Sequence, residues 1–135
     1  MTFHTARKIM ENSGIHPQRL ALDWASAAEA PLYVSLVTRF TNLMRELGPM
    51  GEKEGIGAEE LGHRLNVACQ AARSLKLRSR LGRLAQMLRK EKDYSPGYVE
   101  AKIAERIQDI VVSEMRRIEA GSPHVSQTAS QEVLA

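Results

Sequence analysis

Residues 14–49 read GIHPQRLALDWASAAEAPLYVSLVTRFTNLMRELGP, and a change of hydrophobic period inside this stretch decides the fold. Leu20, Leu22 and Trp24 alternate with Ala21 and Asp23, a period of two that predicts a short strand over Arg19–Trp24, with a helical turn left open at this length. Beyond it Ser26 is followed three residues later by Glu29, the spacing of a capping box. Leu32, Leu36, Val37, Phe40, Leu43, Met44 and Leu47 then recur at helical spacing. This is the clearest helix in the chain, about 20 residues long, and Gly48–Pro49 ends it.

Working outward, Thr5–Ser13 reads as a short helix that Thr5 caps and Gly14 stops, with Ala6, Ile9 and Met10 on one face. On the other side Gly48–Gly57 holds four glycines and a proline and predicts a loop. From Ala58, Leu61, Leu65, Ala68, Ala72 and Leu75 keep helical spacing, and Leu77, Leu81, Leu84 and Leu88 resume it on a shifted stripe. One helix bent near Ser79–Gly82, or two in tandem, both satisfy that pattern. Ser95–Pro96 predicts a capped start, and Val99, Ile103, Ile107, Ile110, Val111, Met115 and Ile118 line one face of a helix running to Glu119, before Gly121. The expected fold is mainly α: a short helix, one short strand, then three to four longer helices in a single domain over 1–120, comprising 5–49 and 58–120. The polar, small-residue stretch 121–135 reads as a mobile tail.

At 135 residues the chain has room for one modest core. Hydrophobic residues make up 43% and charged residues 26%, a globular composition, and the scarcity of aromatics beside abundant Leu, Ala, Glu, Arg and Met favours helices. One cysteine, Cys69, excludes an internal disulfide or a multi-cysteine cluster within the chain, and it reads as a small buried hydrophobe. No run approaches the roughly 20 apolar residues of a membrane span, and the first ten residues lack a signal-peptide core, so a cytoplasmic location is expected.

The same elimination removes most chemistry. His4, His16, His63 and His124 lie far apart, without the i, i+3 or i, i+4 pairing that aims two imidazoles at one metal. Gly51, Gly55 and Gly57 lack the preceding strand and following Gly-Lys-Ser/Thr of a phosphate loop. Glu59 and Glu60 suit a helix first turn, where they favour the macrodipole. No catalytic residue, metal ligand or cofactor is therefore nominated. The remaining signal is charge: Arg73–Lys92 holds eight Lys or Arg against Glu91, while the rest of the chain is net acidic. Without interleaved aromatics or a helix-turn-helix pattern, nucleic acid is a weaker expectation than an acidic protein surface. The residues singled out for protein interaction are Leu20, Leu22, Trp24, Arg73, Lys76, Arg78, Arg80 and Arg83.

The ordered set Gly14, Ile15, Arg19, Trp24, Ser26, Ala27, Glu29, Phe40, Leu47, Gly48 and Pro49 resembles the last strand and helix of the delta subunit of methyl-viologen-reducing hydrogenase. That subunit links a hydrogenase to heterodisulfide reductase, and related small proteins accompany reductase-like complexes, including those of bacterial sulfur oxidation. The loop and basic helix after Pro49 look like an extension found in some relatives, so the resemblance is expected to run from Thr5 to about Glu119. The family's cluster-binding cysteines precede this segment and have no counterpart here, so no electron-carrying role transfers to any residue. The resemblance implies a non-catalytic accessory subunit docking to heterodisulfide-reductase-like partners; a basic nucleic-acid-binding or regulatory protein is the alternative.

A lone strand leaves both edges unpaired, and a Leu stripe from Leu61 to Leu88 is long for so small a protein to cover. Both features predict a homodimer. Trp24 and Phe40 are expected in the core, packed against each other's elements.

Overall fold

The computed structural model describes residues 1–121, so the expected tail lies, from residue 122 on, outside the described residues. Among them the chain is helical throughout: α1 (Thr2–Asn12), α2 (Ala30–Leu47), α3 (Ala58–Arg73), α4 (Leu75–Glu91), α5 (Pro96–Arg106) and α6 (Gln108–Gly121), with a single 3-10 turn at Pro17–Arg19. The mainly α expectation is met. The strand is not: no strand occurs among the described residues, and Arg19–Trp24 runs from the end of the 3-10 turn into extended chain without a ladder.

Five helices share one core. Ile9 of α1, Val67 and Ala71 of α3, Leu77, Leu84 and Leu88 of α4, Val99 and Ile103 of α5, and Val111, Met115 and Ile118 of α6 meet around Ile107. Each set follows the three-to-four-residue spacing that puts side chains on one helix face. Helix α6 is central, packing against α1, α3, α4 and α5.

Two breaks shape this bundle. Of the two arrangements that the leucine pattern allows, the structure has two helices in tandem rather than one bent at Ser79–Gly82, and the break lies at Ser74, whose backbone leaves the helical region (φ −57°, ψ 131°). The Ser74 hydroxyl accepts from the Leu77 amide at 3.3 Å, capping α4, and donates to Glu114 Oε2 of α6 at 2.7 Å. The helix expected to run unbroken to Glu119 is instead divided at Ile107, which turns out of line (φ −113°) while its amide and carbonyl still bond to Ile103 and Val111. A fully buried Ile107 at that bend fills the centre of the core.

Smaller corrections follow from the same packing. Thr5 lies inside α1, its hydroxyl donating to the Met1 carbonyl, rather than capping the helix. Helix α2 starts at Ala30, with Pro31 in its first turn, instead of directly after Ser26. Gly14 stops α1 at φ 72°, a conformation that favours glycine, and a Cβ there would displace only the tip of the Arg64 side chain, 2.6 Å away. In α3 the buried face is Val67 and Ala71, whereas Leu65 and Leu75 of the expected stripe are exposed, Leu75 at 78%. Cys69 lies on that outer side and is exposed, contrary to its expected burial.

Candidate docking surface

The stretch Gly14–Pro49 is organised around one side chain. Arg19, at the end of the 3-10 turn, has a side chain only 6% exposed, and its partner Glu54 only 5%. Arg19 Nε donates to Glu54 Oε1 at 2.7 Å and Nη2 to Oε2 at 3.1 Å, a fork-to-fork pair. The remaining donors reach the carbonyls of Leu47, Gly48 and Pro49 at 2.9–3.1 Å. Leu47 ends α2 and Gly48 is its C-cap, so these carbonyls lack intrahelical partners and Arg19 caps α2 from outside. Glu54 in turn accepts the amides of His16 and Gly51. Hydrogen bonding to Arg19 holds the Glu54 carboxyl at about 2, against the desolvation that burial imposes, and raises Arg19 in return. Gly48 completes the cap at φ 65°.

This clamp fixes only one end of α2. Leu47 is its sole buried residue, and α2 packs along none of the other helices at close backbone range. Its inner side, Leu36, Phe40 and Leu43, closes over Leu20–Asp23 and over Phe3 and Arg7 of α1, leaving a groove of about 350 Å³. Asp23 reaches Arg39 at 3.5 Å across that groove. Phe40 is therefore half-buried on a groove wall rather than in the core. Leu20, half-buried, lines the groove together with Ala21, Leu22 and Asp23, so the segment passes beside α2 without entering a sheet, and its period of two corresponds to no alternation of burial.

The outer side of α2 has no cover. On a helical wheel its apolar residues, from Leu32 through Leu36, Phe40 and Val37 to Val34, span roughly 200°, about twice the width that a helix needs to face one core. Tyr33, Val34 and Val37 are exposed, as is Leu22, and Trp24 is exposed at 83%. The expected burial of Trp24 is thus overturned. The other distinctive residues of the stretch are engaged within the chain. Ile15 is buried, the Glu29 carboxylate accepts the Ser26 amide at 2.8 Å before α2, and Arg19 clamps Leu47, Gly48 and Pro49. Trp24 has no such engagement.

The basic candidates fall on a separate side. Arg73 ends α3, and Lys76, Arg78 and Arg83 are exposed on α4, with Arg80 partly covered. Helix α4 packs on α3, α5 and α6 and not on α2, so the two candidate groups do not merge. Lys76 joins Arg117 around the buried Glu114 carboxylate, whose pKa is held at about 2 by Arg117 and Ser74. Neither this buried acid nor Glu54 is legible as a site in the sequence, since each has a partner 35 or more residues away.

Fold and surface together define a helical bundle carrying a side helix clamped at one end. Among the described residues no group of His, Cys, Asp and Glu is arranged to hold a metal ion, and no helix is long and apolar enough to cross a membrane. Residues 1–48 match the family model of the methyl-viologen-reducing hydrogenase delta subunit. The match ends at Gly48, short of the extension to Glu119 that the sequence suggested, and covers α1, Arg19 and α2 but not Glu54, the clamp's acid. Comparison with curated proteins and with solved structures returns no match.

Proposed function

We propose that the protein is a non-catalytic accessory subunit that docks, through the outer face of α2 and the Trp24 segment, onto a subunit of a heterodisulfide-reductase-like electron-transfer complex, with sulfur metabolism as one setting. The observation that carries the reading is the coincidence of two things: the residues matching the delta-subunit family include Arg19 and the whole of α2, and the same stretch leaves Trp24, Tyr33, Val34 and Val37 uncovered. With Leu22 and Leu32 these side chains expose on the order of 600 Å², more than scattered surface hydrophobes and close to one side of a standard interface. Large aromatics near the centre of such a face are the usual energetic anchors.

Co-purification with recombinant heterodisulfide-reductase-like subunits tests this. The protein should co-elute with one of them, and Trp24→Ala and Val37→Lys should each abolish co-elution while retaining the helical circular-dichroism spectrum. Co-elution unaffected by both variants would place the interface elsewhere and overturn the reading.

A further inference from the structure

We propose that the outer face of α4 is a second docking surface, independent of α2, that takes an acidic helix of a partner protein. Leu77, Leu84 and Leu88 turn α4's apolar side into the core, which leaves Lys76, Arg78, Ser79, Gly82, Arg83, Gln86, Arg89 and Lys90 outward, with Leu75 exposed at the helix's first residue. Two rows of cations run along this face. Lys76, Arg83 and Lys90 recur every seven residues, about 10.5 Å apart, and Arg78 and Arg89 mark the opposite edge. None of Arg78, Arg83, Arg89 and Lys90 forms an ion pair among the described residues. The one acid of the helix, Glu91, accepts the Tyr98 hydroxyl at 2.5 Å on the far side.

Between the rows lie Leu75, Ser79, Gly82 and Gln86, and a Cβ added at Gly82 would meet nothing within 4 Å. Ser79 and Gly82 keep the middle of this floor low enough for another helix to approach to the 8–10 Å axis separation of packed helices, with Leu75 available as an apolar contact and the flanking guanidinium and ammonium groups meeting carboxylates on its edges. The seven-residue repeat matches a helix carrying acids at the same interval. A membrane surface fits less well, because Leu77, Leu84 and Leu88 are committed to the core and Leu75 alone is left to insert. Nucleic acid fits less well because no aromatic lies on the face and the chain outside residues 73–92 is net acidic, which repels a polyanion. Unpaired like charges along one helix also repel one another, so a partner's carboxylates relieve a cost the free protein carries.

The experiment uses the full chain and three labelled probes: an alanine-based helical peptide with glutamates at i, i+7 and i+14, a duplex DNA oligonucleotide, and vesicles containing phosphatidylserine. The peptide should bind saturably, more weakly at about 200 mM than at about 50 mM salt. Arg83→Glu with Lys90→Glu should weaken it at least about tenfold, Arg83→Lys should retain it, and Trp24→Ala should leave it unchanged. Should the charge reversals fail to fold, Arg83→Gln with Lys90→Gln reads the same contact. Absence of peptide binding, equal binding by a peptide whose glutamates are out of register, or tighter binding of DNA or vesicles would each overturn the proposal. Because the Trp24 variant separates this face from α2, failure here leaves the α2 reading standing, and the converse holds.

Discussion

Arg19 joins three parts of the chain that sequence spacing keeps apart: the 3-10 turn, the end of α2 and the loop that carries Glu54. Because both ions are buried and bidentate, removing one strands the other without water or partner. Arg19→Ala should therefore destabilise the protein by about 3–5 kcal/mol, read from urea unfolding. Glu54 and Glu114 add a pH dependence of known sign. Both carboxyls titrate at about 2 in the folded protein and near 4.5 when unfolded, so the unfolded chain takes up protons first as acid is added. Their contribution is complete above about pH 4.5 and is lost as pH falls from there toward about 2. Glu114→Gln should flatten this acid limb, and a melting temperature that falls as steeply between pH 4.5 and 2 as in the parent would count against the assignment. In the sequence Arg19 stands out only as the first residue of an expected strand. Neither carboxylate can be found from sequence, since an ion pair or hydrogen bond bridging 35 or 40 residues leaves no periodic trace.

At the level of elements, helices are legible wherever one face has to be apolar, and their junctions are legible where a cap carries a side-chain signal. Ser95–Pro96 starts α5 as expected, and Gly48–Pro49 ends α2. Ser74 carries the same kind of signal, a good N-cap residue, but it sits inside an unbroken leucine and alanine pattern that hides it. Ser74→Ala should cost about 0.5–2 kcal/mol for the lost cap, with a further penalty because Glu114 loses a donor. In α3 the expected stripe points the wrong way because Leu61, Leu65, Ala68 and Ala72 compete with Val67 and Ala71, and small residues do not mark which side faces the core. Helix α2 shows the reverse problem. Its apolar arc is plain in the sequence and its surroundings are not, since periodicity reports that a face is apolar and says nothing of whether the same chain covers it. The expectation that Trp24 and Phe40 lie in the core rests on such cover. Trp24→Ala, at 83% exposure, should change stability by no more than about 0.5 kcal/mol, measured by urea unfolding.

For the whole molecule, the two grounds on which the sequence predicts a homodimer both change. The strand with open edges is absent, and the leucines of the second half of the long stripe, Leu77, Leu84 and Leu88, are inside the bundle. A different ground replaces them. An isolated helix of 18 residues is marginal in water unless an apolar face is packed, and α2 packs only its inner side, with its C-terminal end clamped by Arg19. In the free protein the nearest available cover for Tyr33, Val34 and Val37 is the same face of a second copy, where two-fold symmetry sets each apolar patch on its equal. The isolated protein should accordingly self-associate at tens of micromolar, giving a dimer mass by light scattering. Val37→Lys should return it to the monomer mass with a change in intrinsic stability within about 0.5 kcal/mol, because the substituted side chain touches solvent in the monomer. A partner subunit that occupies this face must displace the second copy, so adding it should convert homodimer to heterocomplex with no ternary species at α2. Reversal of Arg83 and Lys90, on the other side of the bundle, should leave the homodimer mass untouched. A parent protein that stays monomeric across this range, with the α2 amides protected from hydrogen exchange as strongly as those of α6, would mean that α2 is stable alone and that its outer face needs no partner.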